Sequence, residues 1–190
     1  PDLQGNDKKL LATQAWLNRF WMSVLPPRSD PGWEQAVNTL CAQVRFTARG
    51  SEAYLRWCRF QGRNDEGVEY FLGSLQDIEL TQLQHLSDWH CEAYLAQGFS
   101  CMLDTQRPEH IEQALKVIGK LEPVLTWKGE SVYYALACVT SRAAQIKRAL
   151  GYAKRSVELG HAVEPMFTDP DLANLMNNAW AKSRLRSLQG

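Results

Sequence analysis

The chain has 190 residues, 45% of them apolar, with 21 basic and 21 acidic side chains and a formal charge of zero. That length suits one compact domain or a short repeat array with a real core, and the apolar share excludes wholesale disorder. The charge balance removes any global attraction to nucleic acid or to an anionic membrane.

Helical punctuation recurs along the chain, with no period-two alternation that would indicate a strand. A first helix is predicted from about Asp7 to Leu25, ended by Pro26-Pro27. Asp30-Pro31 reads as an N-cap followed by proline at the first helical position, opening a helix to about Ala48 that Gly50 closes. Ser51 and Glu52 begin the next, with Tyr54, Leu55, Trp57, Cys58 and Phe60 in it, and Gly62 breaks it. Asp65 caps a helix carrying Val68, Tyr70, Phe71, Leu72 and Leu75. A long run follows from Thr81 to about Leu103. Pro108 starts another with Ile111, Ala114, Leu115, Ile118 and Leu121 on one face. Lys128-Gly129 turns the chain into a pair, Glu130 to Ala143 and Gln145 to Leu159, which Gly160 ends. Asp169-Pro170 opens a last helix to about Arg184. Short connections favour antiparallel neighbours. The expected class is all-α: antiparallel helix–turn–helix pairs, about eight or nine helices in all, with residues 1–80 as divergent pairs or a cap and 81–190 as the clearer part of one continuous domain.

From Glu130 the sequence resembles the tetratricopeptide repeat. With Glu130 as first position, Tyr133 falls in the bulky fourth slot, and Leu136 and Ala137 in the seventh and eighth. Ala149, Ala153 and Ser156 take the small-residue slots where the second helix crosses the first. The tail from Asp169 to Leu175 looks like the segment that often follows the last such repeat. A looser unit ends at Trp127, with Tyr94 and Gly98 in the fourth and eighth slots and an insertion at Asp104 to Arg107. The resemblance implies a short α-solenoid whose first helices line a groove for a partner peptide or amphipathic helix. The lining would be Tyr134, Cys138, Ser141 and Arg142 in the clear unit, and Leu95, Phe99, Met102 and Leu103 in the looser one.

Charge is segregated. Residues 1–63 carry nine basic groups against five acids, residues 64–106 carry eight acids and no Lys or Arg, and residues 107–190 carry twelve basic groups against eight acids. Arg45, Arg49, Arg56, Arg59 and Arg63, interleaved with aromatic residues, form a basic ridge. Such a ridge could hold nucleic acid, the alternative function, or pair with the adjacent acidic stretch. Acidic and basic surfaces could also join copies of the chain.

The five cysteines (41, 58, 91, 101 and 138) are odd in number and never spaced CxxC, which suggests reduced thiols in a cytoplasmic setting. His85 and His90 are five apart and so do not share a helix face, leaving no metal site. His85, Asp88 and Glu92 do share one, but two carboxylates near a histidine are usually solvated. No nucleophile motif or phosphate-binding loop is present. No apolar run reaches the roughly 18 residues of a bilayer span. The expectation is a non-catalytic scaffold without metal or cofactor, binding another protein. The chain begins with Pro1, so the lack of a leader carries little weight.

Overall fold

The computed structural model describes residues 48–77, 88–124 and 129–188. Within them the chain is all-helical with no strand, as expected: α1 (Ala48–Phe60), α2 (Asn64–Asp77), α3 (Asp88–Asp104), α4 (Pro108–Leu121), α5 (Glu130–Arg142), α6 (Ile146–Glu158), α7 (Ala173–Asn177) and α8 (Ala179–Arg186). Short 3-10 turns cover Glu122–Val124, Glu164–Phe167 and Pro170–Leu172. The two helices expected before residue 47, and the start of the Thr81 run, lie outside the described residues.

Local chemistry explains most boundaries. Pro108 opens α4, where its missing N–H is no loss, and Ile111, Ala114, Ile118 and Leu121 form its buried stripe. Gly50 does not close a helix. It lies inside α1, where glycine costs only about 1 kcal/mol against alanine. The last predicted helix is broken in two. Asn178 takes an extended backbone and its side chain accepts from the Ala181 N–H, so it ends α7 and caps α8.

The helices pack as successive antiparallel pairs. Each of α1, α3 and α5 packs against its own second helix, and α1 rests on α3, which rests on α5. The second helices α2 and α4 also touch the first helix of the next pair. The C-terminal 3-10 turn and α7 then lie on α5, and α8 on α6. One apolar cluster runs through the described residues from Leu55 to Leu185.

The three pairs share one turn. Gly62, Gln106 and Ala144 each have positive φ (71°, 56° and 55°) and each stands two residues before the next helix. At the first and third turns the following amide reaches back to the helix, Arg63 N–H to Cys58 O and Gln145 N–H to Thr140 O, both 2.8 Å. This is the left-handed helix-ending motif that glycine normally serves. Only the first of the three has a glycine.

Helix crossings are tight. Ala137, Ala149, Ala153 and Ser156 are buried between α5 and α6, and Ser156 Oγ donates to Glu130 O at 2.8 Å. Gly98 of α3 lies under the Phe71 ring of α2, in a space that even a methyl group would overfill. Gly98→Ala is therefore expected to destabilise the fold by about 1–3 kcal/mol, despite alanine's better helix propensity. Ala144→Gly should stabilise it by roughly 0.5–1 kcal/mol, because relief of the left-handed strain exceeds glycine's entropy cost. Chemical denaturation of both variants checks the pair of signs.

Candidate functional site

The common face of α1, α3 and α5 differs from the apolar groove expected. Leu95, Phe99 and Met102 are fully buried and Leu103 nearly so; they are core side chains. Phe99 packs edge-on to Phe71 at 5.6 Å between ring centroids. The cause is a register error of one residue. Aligned on the turns at Gln106 and Ala144, the partner of Tyr133 is Leu95 and that of Ala137 is Phe99, one residue beyond Tyr94 and Gly98. Gly98 looked like the small slot of a repeat, but its smallness serves Phe71.

What α3 presents to solvent is a small, polar stripe: Ala93, Gln97 and Ser100, half-buried, and Asp104, exposed. Ser100 and Asp104 correspond to Cys138 and Arg142 of α5 in the corrected alignment. Their 3–4 spacing was available in the sequence, but no charge or ring marks the stripe until Asp104.

Charges alternate across the helix ends. Arg59 of α1 donates from Nε to Asp104 at 2.7 Å and from a terminal nitrogen to Gln97 Oε1 at 2.9 Å. Arg142 of α5 pairs with Asp171 at 3.6 Å. Burial, then the neighbouring Asp169, push the Asp171 carboxyl above its ordinary range, and Arg142 opposes them. Asp104 weakly adds to that rise and Arg59 weakly opposes it.

The groove positions expected on α5 are largely occupied by the chain's own C-terminal segment. The Tyr134 hydroxyl donates to the Asp169 carboxylate, and burial together with that bond pushes its ionisation upward. The Tyr134 ring stacks on His161 at 4.2 Å. Ser141 is buried: its carbonyl accepts from Asn174 Nδ2 at 2.9 Å and its Oγ from the Leu175 N–H at 3.3 Å. Cys138 is buried beside them, and Arg142 stays half-exposed.

Three arginines of the ridge, Arg56, Arg59 and Arg63, are engaged internally. Arg45 lies outside the described residues and Arg49 stands in the first turn of α1. Arg56 pairs with Glu52 at 2.8 Å, Arg59 with Asp104, and Arg63 with Glu66 at 2.5 Å. Arg107 completes the set on Asp65 at 2.7 Å. Three acids of the 64–106 stretch are thus matched by arginines at its borders.

Among the described residues no three His, Cys, Asp or Glu converge as a metal site. His85 lies outside them. Burial pushes the Cys58 and Cys101 thiols up to about 12, and Cys138 higher still, so at neutral pH none supplies the thiolate a nucleophile needs. No protein-family model, curated protein or solved structure matches the chain.

His161 carries a testable consequence. Burial holds it below the ordinary histidine value, against the pull of Glu130 and Asp169. The unfolded chain therefore takes up the proton first as pH falls through about 6.5, and folded-state stability declines on acidification. His161→Phe keeps a ring against Tyr134 without a titrating group. Melting curves from pH 7.5 to about 5 should fall more steeply for the wild type than for this variant.

Proposed function

We propose that the chain is a non-catalytic scaffold of tetratricopeptide-like pairs that holds an extended segment of a partner protein along the open side of α1 and α3, the same side of α5 being taken by the chain's own C-terminal segment. The observation that carries this reading is the threefold recurrence of one turn with first helix stacked on first helix. That arrangement gives a solenoid its continuous binding face. A floor of Ala93 and Ser100 lets a backbone come close, and Gln97 offers amide donors while its oxygen holds Arg59.

The composition of the face favours an extended polar segment over an amphipathic helix. A docked helix needs apolar anchors at three- and four-residue spacing, and Leu95, Phe99 and Met102 are spent on the core. The carboxylates on Arg56, Arg59 and Arg63 count against nucleic acid, since a phosphate would have to displace an existing partner there. The same closure within the chain weakens the case for copies joined by opposite charge. Buried free thiols fit a reducing, cytoplasmic setting. No helix among the described residues is long and apolar enough to cross a membrane.

A photo-crosslinking amino acid placed at Ser100 should form adducts with a discrete protein, whereas the same group at Lys116, exposed on α4, should not. Equal adducts at both positions, or none at Ser100, overturn the reading. Binding of single-stranded oligonucleotide that falls steeply between roughly 50 and 200 mM salt would support the nucleic-acid alternative instead.

A further inference from the structure

Helix α8 keeps one side in the stack and leaves the other bare. Ala181 and Leu185 are buried, while Trp180, Ser183, Arg184 and Ser187, spaced three and four apart, are exposed together. Trp180 is 51% exposed; among the described residues only Phe60 of α1 is a comparably exposed large apolar side chain. From Ala173 to Gly190 the sequence has Lys182, Arg184 and Arg186 and no acid. Arg186 lies over the Phe167 ring at 5.9 Å, which leaves Arg184 as the cation beside Trp180.

We propose that the Trp180–Arg184 face of α8 docks an acidic segment of a partner protein, one with an apolar side chain next to its carboxylates. The surface is separate from the open side of α1 and α3, and the proposal does not rest on that reading. Tryptophan and arginine are the residues most enriched among those that dominate protein–protein binding energy. Here they stand one helical turn apart on a folded helix, so little ordering is lost when a partner seats.

Charge selects the occupant. A second copy docking through the same face would set Arg184 and Lys182 against their own like charges. Single-stranded nucleic acid needs a row of rings for successive bases, and Trp180 is the one large aromatic exposed on α6 to α8. An anionic bilayer needs a broad apolar face to insert, and this one has a single insertable side chain. An acidic peptide needs only one ring pocket and an unopposed cation.

The test uses the full chain and a fluorescein-labelled peptide of repeating Glu-Leu-Asp, followed by fluorescence anisotropy. Wild type should bind it. Trp180→Ala and Arg184→Glu should each weaken binding at least about tenfold, as removal of an anchor does, with Lys182→Glu as a further charge reversal. Lys116→Glu on α4 should change it less than about twofold. Trp180 and Arg184 are exposed, so circular dichroism melting of their variants should match wild type. A peptide that does not bind, or that binds equally to the α8 variants, overturns the proposal. Tighter capture of oligo(dT) or of phosphatidylserine vesicles through the same two residues overturns it in favour of those ligands.

Discussion

The stack depends on places where one helix has no side chain to put between itself and the next. Gly98 admits the Phe71 ring, and a methyl group at Gly67 would stand 2.8 Å from Cys101 Sγ and 3.2 Å from Cys58 Cβ. Gly129 gives way to the buried Glu92 carboxylate at the start of α5, where the helix dipole favours a negative charge. Ala149, Ala153 and Ser156 serve the α5–α6 crossing in the same way. Each contact fixes how closely two helices approach, and hence which side chains of α3 are enclosed by α1, α2, α4 and α5. The long apolar residues of α3 turn inward because those neighbours come near enough to cover them. The solvent stripe is what remains.

Electrostatics then sets register more than it adds stability. The Arg59–Asp104 and Arg107–Asp65 pairs bridge elements far apart in sequence but are about a third to a half exposed, a setting in which an ion pair is worth about 0–1 kcal/mol. Their value lies in what they forbid. Sliding α1 along α3 by a turn would strand Arg59 away from both Asp104 and Gln97. Three acids of the middle of the sequence, Asp65, Glu66 and Asp104, thus meet arginines at its borders. Their segregation along the chain reflects adjacency in the fold more than attraction to an outside ligand.

Much of this is legible in the sequence. Pro108, Gly129 and Gly160 mark helix ends by the loss or freedom of a backbone group, and the α5–α6 pair stood out because alanine at three sites has no other reason to recur. The same logic failed at α3. Gly98 and Tyr94 satisfied a repeat pattern one residue out of place, and a one-residue shift on a helix turns every side chain by about 100°. Leu95 and Phe99 consequently moved from groove to core. All three shared turns fell between predicted helices, but the left-handed conformation of two was not legible because Gln106 and Ala144 carry it without a glycine to announce it. The break at Asn178 was missed because an asparagine after another asparagine reads as helix interior unless its side chain is known to cap.

Corrected register changes what kind of binding is physically reasonable. A partner helix gains affinity by burying rings and branched chains, and α3 has none left to offer on its open side. An extended segment gains affinity from backbone hydrogen bonds, which require close approach and fixed donors rather than apolar area. Small residues at 93 and 100 permit the approach, and the bond from Arg59 fixes the Gln97 amide. Because the stack supplies these groups already ordered, most of the entropy lost in the proposed binding would fall on the partner. A face of this kind selects by shape and backbone first, and leaves charge to decide orientation.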